Sequence, residues 1–297
     1  MVGIRSAHNG RLTLKTIKYL FFGLLSLISV ASFAQSNNQD EQVWQAIQQL
    51  HWIHGPSEVQ IGSRATLQVP KGFAYLNSAD AAKFMMLVHN PDTGGSSLLA
   101  PEDLSWFTLF EFDNIGYVKD TTKINADDVL AGVKKGTEAE NQERRKRGWP
   151  TMTVLGWRYP PRYNSTEKRL EWAIDGEDSN NEEVINYNTR ILGRSGVMAV
   201  QLVTAPANLD TAVNQLNSAL DRFNFVPDEV YSAYRPGDKI AEYGLAGLIT
   251  GGAVAVAAKT GILKWLFKFI WVGIIALIAA IKVFFGRIKK LFVRNQA

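Results

Sequence analysis

All 28 acidic residues of this 297-residue chain lie between positions 35 and 242, a confinement that limits its possible folds more than any other feature. The first 34 residues carry only cations: Arg5, Arg11, Lys15 and Lys18. Residues 243–297 carry eight more, so the middle keeps 20 of the 32 Lys and Arg and stands at −8. The overall charge of +4 therefore hides an acidic body between two basic, apolar ends. That pattern points to a membrane. It argues against nucleic acid, because a −8 body repels phosphate.

The N-terminal end reads as a secretory signal peptide. Its four cations precede the apolar run "LFFGLLSLISVA" and then the small residues Ser32 and Ala34, the order expected of n-region, h-region and cleavage site. The run is short for a span, which needs ~20 residues, so residues 1–34 are expected to be cleaved, leaving Gln35 first. The chain has no cysteine, which excludes a lipobox, disulfides and thiolate metal sites. An exported body over residues 35–226 must then hold together by its core alone.

Within that body the apolar spacing alternates between helix and strand. Val43, Trp44, Ile47, Leu50 and Ile53 predict a helix ending near Gly55. Two or three strands with breaks at 62–63 and 70–72 follow, then a helix capped by Ser78 and ending before Pro91. "LSWFTLFEF" places Trp106, Thr108, Phe110 and Phe112 on one strand face. Asn125 caps a long helix with Asp127 and Asp128 first and Arg144, Arg145, Lys146 and Arg147 last, as the helix dipole favours. That basic cluster reads as a solvated helix end. Four strands come next, and a last helix capped by Asn208. Because strands cluster rather than alternate with helices, the expected class is α+β with a largely antiparallel sheet and flanking helices. Residues 227–242 read as a juxtamembrane linker.

Patterning proposes a register for the "RLEWAID" and "EVINYNTRILG" strands: Ile174 with Ile185, Trp172 with Tyr187, Leu170 with Thr189. One face is then apolar and the other wet. The wet face collects Glu171, Asp175, Arg190 and Arg194, carboxylates and guanidiniums that suit acid–base work or an anion. The alternative is a solvated face laced with cross-strand ion pairs. Trp157 and Tyr159, in a "GWRYPPRYN" loop, offer an exposed aromatic surface for a partner. His51 and His54 stand at i and i+3, but no third metal ligand is indicated. His89 ends a helix and needs no catalytic explanation. There is no phosphate loop, nucleophile elbow or metal-protease signature, so no cofactor or metal is expected.

"GPSEVQIGSRATLQVPKGFAYL", "FEFDNIGYVKD", "LGWRYPPRYN", "NYNTRILGRSGVM" and "YRPGDKIAEYGLAGLITGG" together resemble an uncharacterised family of bacterial membrane-anchored proteins (domain of unknown function 2167). The resemblance implies an exported domain, a C-terminal membrane anchor and no established activity; the location expected is the bacterial inner membrane, with the main domain on the periplasmic side. The family supplies no catalytic residue. The function expected is a tethered binding or interaction module of the cell envelope. The alternative is an envelope hydrolase or transferase on the Glu171/Asp175/Arg190/Arg194 face.

The C-terminal region, 243–297, is expected to supply transmembrane helices from apolar segments near 243–258 and 265–285, followed by a basic tail. Gly244, Gly247, Gly251 and Ala255 form a small-residue stripe suited to close helix packing in lipid. Partners would be membrane lipids and another envelope protein, or a second copy through these helices. Charge favours a single span with the tail inside. Hydrophobic length and the glycine stripe favour a helical hairpin, which is the expectation.

Overall fold

The computed structural model describes residues 41–250 apart from 89–94, 122, 147–150, 180 and 182. The signal sequence, His89, Arg147 and everything beyond Thr250 lie outside the described residues. The chain divides into two units, Met1–Gln48 and Gln49–Ala297. Of the first, residues 41–48 (α1) are helical. The helix expected to reach Gly55 stops there, because β1 (Ile53–His54) pairs Ile53 with Tyr75 and His54 with Ala74. A strand partner elsewhere in the chain overrides local helical spacing.

The second unit continues with β2 (Ser57–Ile61), β3 (Ala65–Val69), β4 (Phe73–Leu76) and α2 (Ser78–Leu87). The breaks fall as expected, with Gly62 and Gly72 at φ 57° and 82°, a region glycine enters without a Cβ penalty. The cap of α2 is Asn77 rather than Ser78: its side chain accepts from the Asp80 N–H at 3.0 Å. Then come β5 (Ser97–Pro101), β6 (Trp106–Asp113) and α3 (Ala126–Lys146). Asn125 does cap α3, accepting from the Asp127 and Asp128 amides at 3.1 and 3.4 Å. At its far end Arg145 is exposed and paired with Glu138 at 2.6 Å, whereas Arg144 is only 4% exposed. That end is thus only partly solvated.

Strands β7 (Met152–Asn164), β8 (Arg169–Asp178), β9 (Glu183–Leu192) and β10 (Val197–Thr204) follow, then α4 (Leu209–Leu220), β11 (Phe223–Phe225) and α5 (Leu245–Thr250). Asn208 precedes α4 in a short 3-10 turn and makes no side-chain cap bond. The order β1-β4-β5-β6-β10-β9-β8-β7 makes one antiparallel sheet of eight strands, and β11-β3-β2 a smaller one. The class is therefore α+β with a large antiparallel sheet and flanking helices. Among the described residues no helix is long and apolar enough to cross a membrane.

The large sheet is covered on both sides. Trp106, Phe110, Tyr187, Met198 and Val200 face a core closed by the small sheet and α4. Leu170, Trp172, Ile174, Val184 and Val197 face the other way, toward α3 and α5. On that side too lies α2, with Phe84 5.2 Å from Phe107. The expectation of one wet face fails, and the register fails with it. Ile174 lies opposite Asn186, Trp172 opposite Asn188 and Leu170 opposite Arg190, one residue off the expected pairing. Apolar-to-apolar matching selects a register only when one face is wet; a sheet buried on both sides gives no such preference.

Candidate functional site

A one-residue shift in pairing sends neighbouring side chains to opposite faces, and the expected polar constellation is split by it. Glu171 and Asp175 face the α4 side with Thr189 and Ile185, while Arg190 faces the helix side with Leu170. Arg194 lies beyond β9 altogether. No single site can therefore contain all four, and the expected acid–base and anion-binding face does not exist as one surface.

Each member has a local role instead. Glu171 Oε1 lies 3.1 Å from Arg169 Nε, at an angle too poor for a hydrogen bond. The buried Tyr187 hydroxyl beside it is raised well above the usual phenol range, first by burial and then by the Glu171 charge. Asp175 stands 4.0 Å from Arg158, which also binds Glu183 at 2.6 Å. The "GWRYPPRYN" segment is not a loop but most of β7. Its prolines are tolerated because β7 is an edge strand, and the register shifts between Tyr159 and Arg162. Trp157 donates to the Ala126 carbonyl at 3.2 Å and packs in the helix-side core. Tyr159 packs on the other side, 6.2 Å edge-on to Tyr187, and donates to Asp210. These aromatics are occupied by the fold.

The histidines separate as well. His51 lies 3.2 Å from Asp80, and His54, in β1, lies 3.3 Å from Glu102. They do not share a helix face. Among the described residues no group of three or more possible metal ligands is present.

Two polar centres emerge that spacing did not indicate. On the helix side, Glu111 of β6, Ala199 of β10 and Arg190 of β9 stand in one cross-strand row, with Asp113 on the same face two residues along β6. The Arg190 guanidinium lies 5.1 Å from the Trp172 ring centroid and donates to the Thr189 carbonyl at 3.0 Å. Glu111 keeps solvent access, yet desolvation by the surrounding protein and then the Asp113 charge lift its carboxyl to about 6. Burial raises Asp113 too, against the pull of Arg190. Tyr243, which leads into α5, is raised by burial and by Asp113.

The second centre is a cleft of about 290 Å³ where residues 227–239 cross the loop after β9. Arg194 grips Asp238 with two bonds, Nε to Oδ2 at 2.7 Å and Nη2 to Oδ1 at 2.8 Å. Asp238 is held down at about 2, first by that grip and then by the Arg235 amide. Arg64 donates to Ser195 Oγ at 2.7 Å and also to Glu229. Ser195 Oγ in turn donates to Glu229 Oε2 at 2.6 Å. A nucleophilic serine needs a base free to take its proton. Here the carboxylate is already paired with Arg64, so the network acts as a clasp. Next to it Tyr117 stacks 4.5 Å from Tyr231 and lies tilted 4.3 Å from Tyr234, while Tyr231 donates to the Val118 carbonyl at 2.8 Å. Residues 227–242, read as a linker, are thus docked along the body.

The family model described as "Protein of unknown function (DUF2167)" matches residues 23–282. No curated protein matches the chain. Among solved structures it is similar to the solution structure of cyanobacterial PsbP (CyanoP) from Synechocystis sp. PCC 6803, at 10% identity. That match covers 59% of this chain and 92% of the other with a TM-score of 0.35, too slight to carry an argument.

Proposed function

Because the chain belongs to this family of proteins of unknown function (DUF2167), which brings no activity with it, we propose a reading built on its own residues. The protein is an exported module of the bacterial cell envelope, anchored in the inner membrane, that binds a partner rather than transforming a substrate. Residues 1–34 are its cleaved signal, and an anchor with a basic tail follows the folded body. Membrane lipids are its first partner; the second is another envelope protein or a second copy.

One observation carries this reading. In the cleft, Arg194 and Asp238 are spent on one another, as are Ser195 and Glu229, and what they hold is the segment leading to the apolar C-terminal region. The apparatus of the site fixes the body to its anchor. Export has its own support in the acidic body between acid-free, apolar ends.

The test uses the full-length chain expressed in its membrane. Amine-reactive crosslinking of spheroplasts, followed by detergent extraction, is expected to give a discrete adduct of defined mass. Spheroplasts should also lose the body to added protease while cytoplasmic markers survive. Recovery of the chain only at its own mass would remove the interaction role, and survival of the body in spheroplasts would remove export.

A further inference from the structure

The cleft has one wall from the body, with Asn114, Gly116 and Arg194, and one from the strap of residues 227–250, with Asp228, Asp238 and Lys239. Just past it the Tyr117 N–H donates to the Lys239 carbonyl at 2.7 Å, and the Ala241 N–H to the Tyr117 carbonyl at 2.9 Å. Gly116 permits this short ladder, since a Cβ there would stand 2.7 Å from the Lys239 carbonyl oxygen. The strap ends in α5, whose Leu245, Leu248 and Ile249 share a core with Val129 and Val133 of α3. Gly244 and Gly247, expected to pack in lipid, therefore belong to the folded body, where a Cβ at Gly247 would come within 2.6 Å of the Tyr243 side chain. Gly251 and Ala255 lie outside the described residues.

A cleft of about 290 Å³ is at the small end for ligand sites, so it suits one small molecule rather than a peptide. No apolar side chain lines it, and burial of apolar surface cannot drive entry. Its three carboxylates are already matched: Asp238 by Arg194, Glu229 by Arg64, and Asp228 by Arg235 at 3.1 Å. An amine would thus find no unmatched partner. Among the described residues the Asn114 amide and the Lys239 ammonium, both exposed, make no hydrogen bond or ion pair. An amide both donates and accepts, as a hydroxyl does, and an ammonium takes a carboxylate.

We propose that the cleft binds a small hydroxylated acid, no larger than one sugar ring, with its carboxylate on Lys239 and its hydroxyls on Asn114. Such a ligand touches both walls, so it binds the closed strap and stabilises that form by its own affinity. The inference goes beyond the envelope reading and depends on neither export nor anchoring. The spheroplast test of that reading can fail without touching it.

The test adds D-glucuronate and D-glycerate, which bracket the size, to the purified full-length chain in detergent, followed by calorimetry. At least one should bind one-to-one and raise the thermal midpoint. D-Glucose, without the carboxylate, and acetate, without hydroxyls, should bind about tenfold more weakly or less. Lys239→Met keeps the backbone bonds to Tyr117 and should weaken the acid about tenfold, the size of one charge-assisted hydrogen bond. Asp238→Asn, which loosens the strap, should weaken it too. Binding of neither acid overturns the site, and acetate binding as well as either acid means an adventitious anion and overturns it equally. Full affinity in Lys239→Met places binding outside the cleft. Full affinity in Asp238→Asn removes the link between ligand and strap.

Discussion

Asp238 and Glu111 are displaced from their ordinary carboxyl values in opposite directions, and the two displacements make opposite predictions for stability. Asp238 sits at about 2 against an ordinary 3.8, chiefly because Arg194 hydrogen-bonds it. A depressed carboxyl stabilises the fold above its unfolded value and loses that contribution as pH falls toward the folded one. Asp238→Asn should therefore lower the thermal midpoint at pH 5, and the gap to wild type should close by about pH 2. Midpoints that differ equally across that range would remove the clasp's electrostatic role. Glu111 is raised from 4.5 to about 6, so its ionisation works against the fold. Glu111→Gln should leave stability nearly unchanged at pH 4 and raise it above pH 7. A variant less stable than wild type at pH 8 would show that the Arg190 attraction outweighs desolvation. Neither residue was legible as a site in the sequence. Glu111 and Arg190 are joined only by strand pairing, and Arg194 and Asp238 only by the return of the chain across the loop after β9.

Local chemistry was legible wherever it stayed local. Asn125 caps α3 because an Asx side chain and two amides within three residues suffice. The strand breaks at 62–63 and 70–72 were readable for a similar reason. What failed depended on distant partners. β1 replaced the end of a helix because Tyr75 and Ala74 supply its ladder. β7 ran through Pro160 and Pro161 because its outer edge carries no neighbouring strand. The β8–β9 register slipped by one because helices and a second sheet cover both faces. The reassignment of α5 from lipid to core carries its own prediction. Leu248→Ala, at a 6% exposed position, should cost about 2–3 kcal/mol, the lower part of the Leu→Ala range, since a short helix can partly collapse onto the gap. An unchanged urea midpoint in the purified full-length protein would mean that α5 does not bear on the core.

For the molecule as a whole, charge segregation announced two ends and one body, but not where the body stops. Sequence placed the last core residues before 227; packing extends them to Ile249. Residues 35–238 retain the Arg194–Asp238 pair but lack the Tyr117 ladder, Tyr243 and α5. They should aggregate or unfold without cooperativity, whereas residues 35–250 should give a single sharp transition by circular dichroism. Equal transitions from both would refute the longer boundary.

Docking of residues 227–250 along the body also decides how the molecule answers mechanical load. Tension arriving through Thr250 meets α5 first, then the Tyr117 ladder, then the Arg194–Asp238 grip, and only afterwards the sheets. Each failure releases chain, and the whole strap of residues 227–250 is about 80 Å long when fully extended. A load applied beyond Thr250 would therefore unspool this segment before it could unfold the body. In a pulling experiment on the full chain, Arg194→Ala should lower the force of the early extension and leave the later rupture of the sheets unchanged.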